Sequence, residues 1–294
     1  MSAAPAAIPG DYQRSLHFDG RDRQYLLHVP EACRDATRVP VVLVFHGGGS
    51  NAADMVRFCR LNDVADREGF ITVYPEGTGR IDRAHSWNGG NCCGHAQRHN
   101  VDDVGFVSAI LDELPGLVPV DSRRVYATGM SNGAVLSYLL ASKLSDRIAA
   151  IAPVGGPMGT RSCDPSRPVS VLHFHGTADE FAPFAGGRGA RSLSQTEFFS
   201  VEHTIATWVR ANGCPKEPRL HEELPVTVDD GLQIFHTEYG PGREGAEVVL
   251  YVIAGGGHTW PGEEPTYDFL GAWTRQISAN ELMWAFFQRH ALPG

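Results

Sequence analysis

Val125-Tyr126-Ala127-Thr128-Gly129-Met130-Ser131-Asn132-Gly133-Ala134-Val135-Leu136-Ser137-Tyr138-Leu139-Leu140 is the stretch on which the fold turns. Val125 to Thr128 is short, apolar and β-prone, as a buried strand should be, and from Ala134 the apolar residues run on to Leu144 in a helix-length segment. Between the two lies Gly129-Met130-Ser131-Asn132-Gly133. Alone, this G-x-S-x-G is a weak pattern. Placed between a strand and a helix, it has the context of a nucleophile elbow, where the serine is held on a sharp strained turn and its neighbours must be small.

A second strand, Ile148 to Val154, follows the helix and completes a βαβ unit, which requires a parallel pairing and a right-handed crossover. Upstream, Val39 to Phe45 is a nearly continuous aliphatic run of the kind buried on both faces of a parallel sheet, and it ends in His46-Gly47-Gly48-Gly49. Arg23 to Val29 alternates like a half-buried strand. Ala52 to Glu68 reads as one helix stopped by Gly69, followed by a strand at Phe70 to Tyr74. Arg80 to Asn100 has little periodicity and reads as a long loop. Asp102 and Asp103 precede a helical pattern to Leu114, where they serve as N-terminal caps.

Downstream, strands are expected at Val169 to His175, Leu232 to Tyr239 and Val248 to Ile253. Helices are expected at Gln195 to Ala211 and from Ser278, in capping-box spacing with Glu281, to His290. The whole reads as α/β, a mostly parallel central sheet with helices on both faces. Residues 23–294 are expected to form one catalytic domain, and residues 1–22 an N-terminal extension or edge strand.

The chain has 294 residues, 42% of them hydrophobic and 20% charged, with a formal charge of −9 from 34 acidic and 25 basic residues. Those proportions exclude disorder, collagen and coiled coil. Nucleic acid is not expected as a partner, because the basic residues are scattered and outnumbered. No apolar run reaches the roughly 18 to 20 residues of a membrane span. Met1 to Gly10 lacks a basic and apolar signal pattern, so the compartment is left open between export after signal removal and the cytoplasm. The six cysteines fit no zinc spacing. Cys92 and Cys93 lie in the long loop, and in an oxidising compartment at least one of them is expected to bridge to a distant cysteine; buried free thiols are the alternative.

An elbow serine needs a base and an acid, in the order serine, acid, histidine. Asp179 follows the strand ending in His175, and His258 follows the strand ending near Ile253. Both therefore fall beyond the carboxyl ends of strands, where ligands bind on such sheets. The amide of Asn132, directly after Ser131, and that of Gly48, in the turn after Val39 to Phe45, are the expected donors to an oxyanion. His46 is read as positioning that turn. Trp87, Trp260 and the run Glu197-Phe198-Phe199 are candidates for a substrate wall, the alternative being that the two indoles pack loops together.

Six motifs in order carry a resemblance: His46-Gly47-Gly48-Gly49, Trp87-Asn88-Gly89-Gly90-Asn91-Cys92-Cys93-Gly94, Val101-Asp102-Asp103-Val104-Gly105-Phe106-Val107, Gly129-Met130-Ser131-Asn132-Gly133, His175-Gly176-Thr177-Ala178-Asp179 and His258-Thr259-Trp260-Pro261-Gly262. From about Gln24 to the C-terminus the chain resembles the polyhydroxybutyrate depolymerase-like esterases, which include feruloyl and acetylxylan esterases. That resemblance implies an α/β-hydrolase fold, no metal or organic cofactor, and a triad on Ser131, Asp179 and His258. Its members are commonly exported and carry disulfides.

The expected activity is hydrolysis of short-chain, aryl or hydroxycinnamoyl esters, or of hydroxybutyrate oligomers, through an acyl-enzyme. Polymer depolymerisation and acyl transfer by the same triad are the alternatives within catalysis. A non-catalytic binding protein on a hydrolase scaffold is the alternative outside it. With no separate adsorption domain after the last helix, soluble esters are expected to be favoured over a solid polymer.

Overall fold

Every residue of the strand Val39–Phe45 is buried, and its side chains divide between two cores according to the two-residue pleat. Val39, Val41, Leu43 and Phe45 face one core, whereas Val42 and Val44 face the other. The computed structural model describes residues 8–81, 83–192 and 194–294.

In chain order the elements are β1 (Gly10–Phe18), β2 (Arg21–Val29), β3 (Val39–Phe45), α1 (Ala52–Cys59), α2 (Leu61–Glu68), β4 (Ile71–Pro75), α3 (Gly94–Arg98), α4 (Asp103–Glu113), β5 (Val120–Met130), α5 (Asn132–Lys143), β6 (Ala150–Val154), β7 (Ser170–Gly176), α6 (Val201–Asn212), β8 (Leu220–Glu223), β9 (Gln233–Tyr239), β10 (Val248–Ala254) and α7 (Ala279–Phe287). The strands make one sheet in the order β1-β2-β4-β3-β5-β6-β7-β10-β9-β8. Its centre, from β4 to β10, is parallel. The pairs at both edges are antiparallel.

Helices α4, α5 and α6 cover the face that holds Leu43, and α1, α2 and α7 cover the other. Most of α5 is buried on every side because it lies between the sheet and the neighbouring helix α4. Among the described residues no helix is long and apolar enough to cross a membrane.

Several local expectations are corrected. The helix expected across Ala52 to Glu68 is two helices, because Arg60 adopts a left-handed conformation at φ 50°. The carbonyl of Cys59, at the end of α1, accepts the Asn280 side-chain N–H from α7 at 2.7 Å. The helix expected from Gln195 begins only at Val201. Phe198 instead exchanges two backbone hydrogen bonds with Gly187, and Ser200 caps the helix through the His203 amide. The long loop contains the short helix α3, β8 is an additional edge strand, and α7 ends at Phe287 rather than His290.

Candidate active site

The elbow is built by close packing of backbone. A Cβ at Gly129 would come within 2.7 Å of the Phe45 carbonyl oxygen, and one at Gly133 would overlap that same oxygen. Only glycine fits at either position. Ser131 between them has φ 57° and ψ −118°, a conformation that costs a non-glycine residue about 1–3 kcal/mol and persists only when its surroundings enforce it. Here the Ser131 amide donates to Val154 O at 2.9 Å, and the Ser131 carbonyl accepts the Val135 amide at 3.0 Å. Asn132 starts α5, where first-turn amides have no acceptor within the helix and lie at the positive end of its dipole.

Asp179 and His258 meet because β7 and β10 are adjacent and parallel, so their following loops leave the sheet side by side. The loops are stitched by Thr177 N–H to Ile253 O at 3.0 Å, Ala178 N–H to Gly256 O at 2.9 Å and Gly255 N–H to the Thr177 hydroxyl at 2.8 Å. His258 Nδ1 then donates to Asp179 Oδ2 at 2.6 Å, with both side chains almost wholly buried. The other carboxylate oxygen accepts the amides of Phe181 (2.8 Å) and Ala182 (2.9 Å). Burial alone would raise the Asp179 pKa, but the His258 charge and the hydrogen bonds from His175 and His258 outweigh it and hold the carboxyl well below the usual range.

The loop after β6 closes the gap between this pair and the serine. A Cβ at Gly155 would lie 3.3 Å from His258 Nδ1, and one at Gly156 would overlap the Ser131 carbonyl oxygen. Asp179 and His258 are thus hydrogen-bonded, and Ser131 is brought to the same loop without a hydrogen bond from its hydroxyl to the imidazole. Catalytic contacts of that kind commonly tighten only around substrate.

Behind Asp179 runs a buried relay that sequence reasoning missed. Tyr138 O–H donates to His173 Nδ1 at 2.9 Å, His173 Nε2–H to His175 Nδ1 at 3.0 Å, and His175 Nε2–H to Ala182 O at 2.7 Å, with Asp179 Oδ2 3.4 Å from the same nitrogen. Burial drives the His173 pKa well below its ordinary value, so its ring is neutral and each nitrogen has one role. The spacing of His173 and His175, two apart on a strand and therefore on one face, was the available signal.

Gly47 and Gly48 follow β3, which is paired with β5 so that Phe45 lies beside Gly129. A Cβ on Gly47 would lie 3.6 Å from the Ser131 Cβ, and one on Gly48 would lie 3.5 Å from the Asn132 Cβ. The turn therefore rests on the elbow. His46 braces it: Nδ1 donates to Gly47 O at 2.7 Å, and Nε2 accepts the Gly77 amide at 3.1 Å. Gly49 and Ser50 are clamped to His85 by two backbone bonds of 2.8 and 2.9 Å. His46, Glu76 and His85 offer three atoms within 4.8 Å of one another, a spacing that suits a metal ion. However, both nitrogens of His46 are occupied by backbone partners, and Glu76 accepts the Ala52 amide and a hydrogen bond from His85. The cluster is a hydrogen-bonded brace.

Trp87 and Trp260 are 0% and 1% exposed, which corrects their expected place in a substrate wall. The Trp87 indole donates to His46 O at 3.0 Å and packs on Phe45, while the Trp260 indole donates to Asn280 Oδ1 at 2.9 Å. Both hold loops together. The Trp87 backbone is also paired with the Asn132 side chain, which accepts its N–H at 2.7 Å and donates to its carbonyl at 3.0 Å. Phe198 is buried beside Cys92, Cys93, Val135 and Ala182, and Phe199 stacks on His203.

Asp102 caps α4 through the Gly105 amide at 2.8 Å, as expected. Asp103 does more. Buried with Arg23, it accepts from that guanidinium and from the Asn88 amide, both at 2.8 Å, and so ties the Trp87 loop to β2. Cys92 and Cys93 have their sulfurs against each other in the long loop, and neither meets one of the four other cysteines, so the bridge to a distant cysteine expected for an oxidising compartment is not formed in this structure. Cys33, Cys59 and Cys214 are buried free thiols, and Cys163 is a partly buried one.

With this geometry in view, comparison with known proteins places the chain. It is 32% identical over 286 residues to the protein named "Putative esterase NocK" of Nocardia uniformis subsp. tsuyamanensis, covering 93% of this chain and 81% of that one. It is 27% identical over 259 residues to Feruloyl esterase B of Piromyces equi, and 26% identical over 267 residues to the bifunctional acetylxylan esterase/xylanase XynS20E of Neocallimastix patriciarum. These matches cover 84% and 90% of this chain but only 45% and 35% of the two relatives. Among solved structures, the acetyl xylan esterase from Aspergillus awamori superposes with a TM-score of 0.57 at 14% identity, over 94% of this chain and 99% of that one. The fold is that of the α/β hydrolases. Residues 23–179, more than half of the chain, match the family described as Esterase PHB depolymerase, and the chain belongs to that family of esterases.

Proposed function

We propose that the protein hydrolyses carboxylic esters through an acyl-enzyme formed on Ser131. His258 takes the serine proton as the nucleophile attacks and returns it to the leaving alcohol. Asp179 fixes the imidazole tautomer through Nδ1 and stabilises the imidazolium. The amides of Gly48 and Asn132 donate to the oxyanion, each such donor contributing about 3 kcal/mol to the transition state. Water then repeats the sequence on the acyl-enzyme. The observation that carries this reading is the buried 2.6 Å Asp179–His258 bond, held one loop away from a serine in a strained elbow. Short-chain, aryl and hydroxycinnamoyl esters are the proposed substrate class, in keeping with relatives named for feruloyl and acetylxylan esters.

The test is turnover of p-nitrophenyl acetate by Ser131→Ala. Loss of the nucleophile is expected to lower kcat by about 10⁴-fold or more while the circular dichroism spectrum is retained. A variant keeping a tenth of wild-type kcat would show that another residue attacks the ester.

A further inference from the structure

An aromatic strip leads from the catalytic histidine to solvent. Phe181, two residues beyond Asp179, stacks on the His258 ring with centroids 4.9 Å apart and planes at 28°. Phe269 lies 6.2 Å from Phe181, and Tyr267 stacks on Phe269 at 5.1 Å and 13°. Phe269 is 51% and Tyr267 58% exposed, so two of the six large hydrophobic side chains exposed among the described residues stand side by side here. Isolated apolar side chains on a surface need no explanation, but a stacked pair contiguous with a catalytic group does.

The strip is built into the site. His258 N–H donates to Leu270 O at 2.7 Å, and Gly257 N–H to Ala272 O at 2.8 Å, so the segment bearing Phe269 is bonded to the backbone of the histidine itself. A single 3-10 turn, Asp268–Leu270, fixes its shape, with Leu270 N–H donating to Tyr267 O at 3.1 Å. At the inner end, the Phe181 amide is held by the Asp179 carboxylate.

We infer that Phe181, Phe269 and Tyr267 form the subsite for the alcohol portion of the ester, and that this portion carries a neutral aryl ring. The inference rests on the ester-hydrolase reading above. In acyl transfer the leaving oxygen must lie within hydrogen-bond reach of the imidazole that protonates it, so its substituent departs from the His258 side of the site. The acyl chain departs from the carbonyl carbon beside Ser131. A ring on the alcohol therefore meets the strip, whose offset and tilted faces suit aromatic stacking. Charge narrows the class: in the segment Glu263 to Ala272, Glu263 is paired with Arg60 at 3.9 Å, while Glu264 and Asp268 are acidic and no residue of the segment is basic, so it offers no cation to an anionic alcohol.

Two ester series separate the sides of the site. One varies the alcohol (benzyl acetate against ethyl acetate), and the other varies the acyl group (methyl phenylacetate against methyl acetate). In a Tyr267→Ala, Phe269→Ala double variant, the benzyl-to-ethyl ratio of kcat/KM is expected to fall about tenfold, through KM, as loss of aromatic contacts predicts. The phenylacetate-to-acetate ratio is expected to move less than twofold. Both residues are exposed, so the fold is not at risk, and circular dichroism verifies it. An unchanged alcohol ratio, or an equal fall in the acyl ratio, would each overturn the assignment. Absence of wild-type turnover on all four esters, or turnover surviving Ser131→Ala, is failure of the parent reading. It is recognised without the double variant and removes this inference with it.

Discussion

Asp179, the proposed catalytic acid, has a different set of partners on each carboxylate oxygen. One of its oxygens is satisfied by two backbone amides, and the other accepts from His258. In Asp179→Asn the amide oxygen can still take the Phe181 and Ala182 amides, but the NH₂ group then faces Nδ1–H as a second donor. The imidazole must change tautomer, and Nε2 ceases to be a base. We expect kcat on p-nitrophenyl acetate to fall by about 10³- to 10⁴-fold with KM little changed. Asp102→Asn is the matched control, since asparagine caps a helix as well as aspartate does, and it should stay within about twofold of wild type. If the second variant were the more damaged, Asp179 would not be the acid. The positions of Ser131, Asp179 and His258 were legible because each follows a strand that the residue pattern marks. The direction of the Trp87 and Trp260 rings was not, because an aromatic residue beside a catalytic motif is written identically whether it faces substrate or packs a loop.

Elements show where local reading ends. The strand Val39–Phe45 needed only its own residues, whereas the break between α1 and α2 coincides with a contact from Asn280, more than two hundred positions away. Long-range partners leave no local periodicity. The same holds for the relay that joins α5 to β7 through Tyr138, His173 and His175. It is fully buried and every nitrogen is used, so replacing His173 by Phe would strand the Tyr138 hydroxyl and His175 Nδ1 together. Each unsatisfied buried group costs about 1–3 kcal/mol, and a loss of about 2–5 kcal/mol in urea unfolding is expected for His173→Phe. Tyr138→Phe removes donor and hydroxyl together and strands only His173 Nδ1, so it should cost less than half as much. Equal losses from the two variants would show that ring packing, not the hydrogen-bonded chain, carries the stability.

Across the whole molecule, one carboxylate ties the end of the chain to the sheet through a charge cluster that acid is expected to weaken. Glu247, immediately before β10, accepts from Arg289 at 2.6 Å and His290 at 3.0 Å, both just beyond α7, and from Arg219 at 2.7 Å near the β8 edge. Burial pushes its pKa up, but hydrogen bonds from His290 and Arg289 and their charges prevail and bring it down to about 2, from an ordinary 4.5. Lowering in the folded state means that the unfolded chain binds this proton first as the solution is acidified. The stabilisation is therefore complete above about pH 4.5 and is lost progressively as pH falls towards 2. Arg289 and Arg219 are partly exposed and solvent screens their charges, so we expect about 1–3 kcal/mol from this group. Glu247→Gln keeps the shape and removes the titration. Urea unfolding at pH 7, 4.5 and 3 should show the wild type losing more free energy than the variant, with almost all of the difference appearing between pH 4.5 and 3. His173, kept neutral by burial, also favours the folded state less as pH drops below about 6.5, but equally in both proteins, so it cancels in the comparison. Parallel pH profiles for wild type and Glu247→Gln would mean that the C-terminal segment is held by packing of Phe286, Phe287 and Leu292 rather than by this charge cluster.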